Sequence, residues 1–246
     1  MPKNNDYRQR NDWVLGLAEL GESIYSLRFN RGYQPPLPRF DRCANLGVAL
    51  NAPDQNGFPL SDETLRLFEL EARIDAAHKE HAILVGTLTG QGVKMFILYV
   101  RDIDWLSQLE DAERTVVGGY QLTIKVEDDP RWNRFGEFLS AAERADADRR
   151  VFDLLESRGP DLGHPRQIDW FLHFTAESNA QRARRWLLDH EYLASLTRSV
   201  EEDLWDVTAS LFVPIDRRYA IQMSAMFDAF AKEYQGVYGG WGAVST

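Results

Sequence analysis

Thiols are almost absent from this sequence: Cys43 is its one cysteine, so no intrachain disulfide can form, and so thiol-poor a composition fits a reducing compartment. Long hydrophobic runs are missing as well. No segment approaches the ~20 apolar residues that span a bilayer, and the opening Met1-Pro2-Lys3-Asn4-Asn5-Asp6 lacks the apolar stretch of a secretory signal. A cytoplasmic location without a membrane partner is therefore expected. Positive charge is scarce: 28 Lys and Arg stand against 38 Asp and Glu, a formal net charge of −10. Binding to a phosphate backbone rests on clustered cations, so direct nucleic-acid binding is not expected. A basic protein segment is the better electrostatic partner.

Signatures of catalysis and metal binding are lacking too. The histidines, His78, His81, His164, His173 and His190, have no Cys or carboxylate at a ligand spacing. His78 and His190 fall near predicted helix C-termini, where a histidine suits the dipole and can meet free carbonyls. Cys43 has no activating sequence context. The glycines between 86 and 92 lack the Gly-Lys-Ser/Thr ending of a phosphate loop and join two strands. Glu127-Asp128-Asp129 and Glu201-Glu202-Asp203 fall where the pattern predicts solvated turns. Arg182, Arg184 and Arg185 fall on a predicted helix, as a charged outer face. The chain reads as a non-enzyme with no cofactor and no metal.

What is present is bulky apolar surface: seven Trp, thirteen Phe and nine Tyr, enough for two cores without cross-links. Runs at 13–20 and 23–29 read as a hairpin. A third strand alternates Ala44, Leu46, Val48 and Leu50 with Cys43, Asn45, Gly47 and Ala49, which puts Cys43 on the face away from the core. Ser61-Asp62-Glu63 opens a helix whose buried stripe is Leu67, Leu70, Ile74 and Ala77. Strands at 82–89 and 93–101 are joined across Gly90-Gln91-Gly92. A short helix over 103–114 and a strand with Tyr120, Leu122, Ile124 and Val126 on its core face follow.

Pro130-Arg131-Trp132 opens a helical turn through Leu139, after which 140–148 turns small and charged. The boundary is placed there, near residue 141, giving domains over 1–140 and 141–246. Val151, Leu154 and Leu155 then form the apolar side of another helix, which a break over 158–165 ends. From Gln167 the order is strand, helix, strand, strand, helix, strand. This is the split βαββαβ pattern, so an α+β chain is expected whose second domain is a ferredoxin-like antiparallel sheet with helices on one face. The first domain ends in a similar order, a related α+β sheet with an extra N-terminal hairpin.

Two resemblances extend this reading. From about Asp148 onward, the helix and break over 151–166, Leu172-His173-Phe174, the helix from Asp216, and above all Val237-Tyr238-Gly239-Gly240-Trp241-Gly242 give the sequence a form that resembles the regulator of ribonuclease E activity B family. That family usually carries Asp where Gly239 stands, and some members carry a long acidic C-terminal tail that is absent after Thr246. Residues from about Trp13 to Leu139 resemble an uncharacterised family often fused ahead of such regulators, marked by Gly57-Phe58-Pro59, Glu69, Glu71 and Asp129-Pro130-Arg131-Trp132. The first resemblance implies a protein that binds the endoribonuclease and lowers its activity without touching RNA. The second implies no biochemical role.

The residues themselves point to one surface. If Trp205, Val207 and Ala209 face the helices, then Asp206, Thr208 and Ser210 face outward. One alternating set around Phe171 and His173 joins them. Tyr238 and Trp241 are three apart, so on a regular strand they point to opposite faces, one core and one open, unless a Gly-Gly bulge realigns them. The expected site is this open face, comprising Phe171, His173, Asp206, Thr208, Ser210, Tyr238 and Trp241 and binding a protein segment or the first domain. The alternative is a small-molecule or stress-signal module with its site between the domains. Oligomeric state is left open.

Overall fold

The computed structural model describes residues 12–20, 23–77, 81–102, 104–106, 120, 122–158, 163–199 and 203–243. The turn at Gly21-Glu22, His78, the rest of the helix expected over 103–114, the centre of the break over 158–165, and Glu201-Glu202 lie outside them. The chain forms two compact units, Met1–Glu143 and Arg144–Thr246, each with its own antiparallel sheet. No helix among the described residues is long and apolar enough to cross a membrane.

Unit 1 contains β1 (Trp13–Leu20), β2 (Ser23–Asn30), β3 (Arg42–Ala49), α1 (Ser61–Ala77), β4 (Ala82–Gly90), β5 (Val93–Val100) and β6 (Leu122–Asp128). Its sheet runs β1-β2-β4-β5-β3-β6. The alternation on β3 and β5 sends Leu46, Val48, Phe96 and Leu98 to one face, where Leu67, Leu70 and Ile74 of α1 cover them. Full burial of each such side chain contributes ~1.5–3 kcal/mol. The β4–β5 turn needs positive φ at both central residues; Gln91 (φ 55°) and Gly92 (φ 74°) supply it.

The expectation for Cys43 is corrected here. It does point away from α1, paired opposite Tyr99, yet it is fully buried because the second sheet face is covered too. A long helix, α2 (Asn133–Arg158), begins on that side. Phe135 and Phe138 of its first turns pack against Phe29 of β2, at ring-centroid distances of 6.5 and 5.5 Å. The Trp132 ring stacks on Tyr99 at 3.8 Å, and its indole N–H donates to the Phe40 carbonyl at 2.6 Å.

Asp129 sits 6% exposed below this stack, so it is no solvated turn acid. It accepts from the Tyr99 hydroxyl at 2.5 Å and from the backbone N–H of Asn133 and Arg134, both at 2.9 Å, capping α2. These bonds hold its carboxyl below the usual range against the opposing desolvation, while burial first, then the Asp129 bond, pushes the Tyr99 hydroxyl up.

The helical turn expected to end at Leu139 continues instead. α2 is continuous through 140–148, over 26 residues. Alanines favour helix, and Asp146 binds Arg149 and Arg150 one turn on, at i,i+3 and i,i+4. Further along, Phe152 and Leu155 are buried, while Leu154, expected in the apolar stripe, is 49% exposed.

Unit 2 contains β7 (Arg166–Phe174), α3 (Glu177–Asp189), β8 (Leu193–Ser199), β9 (Leu204–Val213), α4 (Arg217–Glu233) and β10 (Gly236–Ala243), in sheet order β10-β7-β9-β8. Ile168, Trp170, Leu172, Val207 and Ala209 point to the side that holds Ala180, Ala183 and Leu187 of α3 and Phe227 of α4. Asp216 caps α4 by accepting from the Tyr219 N–H at 2.7 Å. At the end of α3, His190 meets the Trp186 carbonyl through Nδ1 at 2.8 Å, the role expected of it.

The two sheets share an order. Numbered one to four along the chain, β7–β10 lie four-one-three-two, and β3–β6 lie in the same four-one-three-two sequence. Unit 1 then extends past β4 with the β1–β2 hairpin.

Candidate functional site

On unit 2 the side of the sheet away from α3 and α4 is built by strict alternation. Register pairs His173 with Asp206 and Asp206 with Thr197; Phe171 with Thr208 and Thr208 with Ser195; Asp169 with Ser210 and Ser210 with Leu193. Phe171, His173, Asp206, Thr208 and Ser210 thus share one face, as the alternation on β9 implies. Phe212, Leu193 and Val237 extend it and are 67%, 72% and 67% exposed.

Two contacts order this face. His173 Nδ1 lies 2.7 Å from Asp206 Oδ1. A carboxylate only accepts, so Nδ1 carries the proton, which leaves Nε2 on the far edge of the ring. That Nε2 edge lies against Gly239, where an added Cβ would come within 2.2 Å of it. The Phe171 ring extends toward Gly242, where an added Cβ would meet it at 3.7 Å. Gly239 is therefore the seat of the His173 ring, and Gly242 borders that of Phe171. Asp169 pairs instead with Gln167, whose Nε2 donates at 2.9 Å, and sits about 13 Å along the strand from His173. His173, Asp169 and Asp206 do not converge on one point, and the arrangement orients an imidazole without delivering a nucleophile to it.

Tyr238 and Trp241 require a correction. Tyr238 pairs with Leu172, Gly240 with Phe171 and Trp241 with Trp170, so Gly239 is an extra residue and the strand is bulged. The bulge changes the parity, and both aromatics point to the helix-covered side. Gly240 has φ +100°, a conformation that side chains disfavour, and nothing lies within 4 Å of the space a Cβ would occupy.

Beneath the bulge the two aromatics join a buried network that the sequence reading did not find. Trp241 Nε1 donates to Asp148 Oδ1 at 2.8 Å, and Ser224 Oγ donates to the same oxygen at 2.9 Å. Ser224 has spent its one proton, so the Tyr238 hydroxyl, 3.1 Å away, donates to it. Burial pushes the Asp148 carboxyl up to about 6, against the lowering effect of the Ser224 and Trp241 bonds. Burial likewise raises the Tyr238 hydroxyl. Asp148 escaped notice because it stands in the stretch read as a charged boundary.

The composition of the outer face carries its electrostatics. Among the described residues, the side chains that β7 to β10 send to it include two acids, Asp169 and Asp206, and no Lys or Arg.

Residues 11–140 match a family model described as a family of unknown function, DUF695, over more than half of the chain. The chain belongs to the DUF695 family. Behind its DUF695 region, residues 145–243 match the model of a second family, regulator of ribonuclease activity B. The open face, the bulge and the Asp148 network all lie within that second match. No curated protein matches the chain. It is similar to the crystal structure of an unknown protein from Galdieria sulphuraria, at 10% identity and a TM-score of 0.23, over 83% of this chain and 99% of that one.

Proposed function

We propose that this protein is a non-catalytic regulator that lowers the activity of a ribonuclease of the ribonuclease E type by binding it directly in the cytoplasm. The observation that carries the reading is that the regulator-of-ribonuclease match covers residues 145–243, the segment whose sheet exposes Phe171, Phe212, Leu193 and Val237 on one side. Exposed apolar side chains gathered on one face are typical of protein-binding surfaces. Phe171, His173, Asp206, Thr208 and Ser210 are the docking residues. Tyr238 and Trp241 act from beneath, by holding β10 in register under the two rings.

Unit 2 is read as a ferredoxin-like domain, supported by its βαββαβ chain order and its four-one-three-two sheet. Domains over 1–140 and 141–246 complete the reading.

The test is cleavage of a fluorogenic RNA by a purified ribonuclease E with and without the full-length protein, with complex formation followed by sedimentation. A stable complex and slower cleavage are expected, and a Phe171→Ala, His173→Ala variant should lose both. No complex and no slowing at micromolar protein would overturn the proposal.

A further inference from the structure

We propose that the open face of unit 2 is a receptor for arginine side chains on an extended segment of its partner, with the rings of Phe171 and His173 as the platform and Asp169 and Asp206 as the counter-charges. This deepens the docking surface proposed above and rests on it.

The platform follows from the glycines of β10. On most strands, side chains from the neighbouring strand would prop such rings upright. Here His173 lies against Gly239, and Phe171 reaches toward Gly242. Phe171 remains 37% exposed, and the side chains of His173 and Asp206 are 35% and 33% exposed. Ring surface and carboxylate are thus presented to solvent together.

Charge selects the occupant. Two acids, with no Lys or Arg among the described residues of the face, repel a phosphate backbone and attract a cationic side chain. A flat guanidinium stacks on an aromatic ring and pairs with a carboxylate at the same time, which a compact ammonium does less well. Spacing selects its conformation. Asp169, Phe171 and His173 recur every second residue along β7, about 7 Å apart. A segment in extended conformation repeats its side chains at the same interval, so alternate arginines fall over successive members of the row. Leu193, Phe212 and Val237 at the margins receive apolar residues between or beside them.

The experiment titrates the full-length protein with a synthetic peptide of alternating arginine and leucine, with matched lysine and citrulline peptides, and with a single-stranded RNA oligonucleotide. The arginine peptide should bind, the lysine peptide about fivefold more weakly and the citrulline peptide at least about tenfold more weakly. Phe171→Ala should weaken arginine-peptide binding about tenfold, while Phe171→Tyr, which keeps the ring, retains it. An Asp169→Asn, Asp206→Asn double variant should weaken it and flatten its salt dependence. Each variant is checked for an unchanged melting transition, and Phe171→Tyr guards against a loss that is merely structural.

Equal binding of the citrulline peptide, indifference to Phe171→Ala, or RNA binding in place of peptide binding would each overturn the proposal. Ribonuclease inhibition measured in parallel separates it from the function it rests on. Inhibition that survives all these variants sinks the arginine receptor and leaves the regulator; arginine-peptide binding without inhibition supports the receptor and removes the ribonuclease.

Discussion

Trp241 and Asp148 are 93 residues apart in sequence and 2.8 Å apart in the fold, the indole N–H donating to a carboxyl that burial pushes up to about 6. The bond ties the last strand of unit 2 to the long helix α2. With Ser224 and Tyr238 it makes a four-residue network in which each hydroxyl and N–H proton has an acceptor. The glycine bulge that turns Tyr238 and Trp241 inward also aligns His173 with its seat, so the buried network and the open face depend on one backbone irregularity.

A pH prediction follows from Asp148. Its folded pKa, about 6, lies above the ordinary value of 3.8. The stability it contributes is present in full below the ordinary value and is lost as pH rises through the folded one. Asp148→Asn, which stays neutral, should therefore gain on the wild type between pH 4 and 6 and level off above that, at ~3 kcal/mol relative to its standing at acid pH. Urea unfolding of both proteins from pH 4 to 7.5 gives the difference curve. A constant difference across that range would contradict the assignment.

Asp129 predicts the opposite pH dependence. Its carboxyl is held low, so its contribution is present above the ordinary carboxylate value and is lost as pH falls through the depressed one. Asp129→Ala should cost ~2–4 kcal/mol at pH 7, by removing a helix cap and leaving the buried Tyr99 hydroxyl without its acceptor. Asp129→Asn should cost less. Guanidinium denaturation at pH 7, followed by circular dichroism, reads both.

Glu71 is a third test. It is buried between Arg28 and Lys94, with Lys94 Nζ at 2.9 Å from one oxygen and Arg28 Nη1 on the other; Lys94 itself is 6% exposed. Arg28 can turn to solvent, but Lys94 cannot without moving strand β5. Glu71→Leu alone should cost ~3–5 kcal/mol through the stranded cation. Glu71→Leu with Lys94→Met should recover most of the loss, since an apolar pair of similar volume is close to neutral at such sites. Thermal melts of the single and double variants decide it.

Gly240 isolates backbone from packing. Because the space beside it is empty, Gly240→Ala adds no clash and tests conformation alone, at an expected ~1–2 kcal/mol. Gly236→Ala differs, because its Cβ would meet the Phe174 ring at 2.4 Å, and it should cost more. If the two variants melt alike, the bulge is not strained toward glycine.

Much of the fold is legible in the alternation and punctuation of the chain. Strands β1, β7 and β9, the Gln91-Gly92 turn and the Leu67, Leu70 and Ile74 stripe of α1 follow from local pattern, because a strand or amphipathic helix with one wet face writes its burial into its own sequence. The outward set on β9 and β7 is readable for the same reason. Cys43, Asp129 and Asp148 are not, because each is buried through residues distant in sequence: Tyr99 lies across from Cys43 and bonds Asp129, and Trp241 bonds Asp148.

The sequence by itself determined that this is an acidic α+β chain with two sheet-forming segments, and that Asp206, Thr208 and Ser210 lie on the opposite face of β9 from Val207 and Ala209. Tertiary structure alone decided that α2 runs unbroken, that Cys43 on the second face of β3 is dry, and that Tyr238 and Trp241 share a face. The reason is physical. Periodicity reports which side of an element meets water, whereas a bulge changes parity at one residue, and only the partner strand across from it fixes where that residue falls.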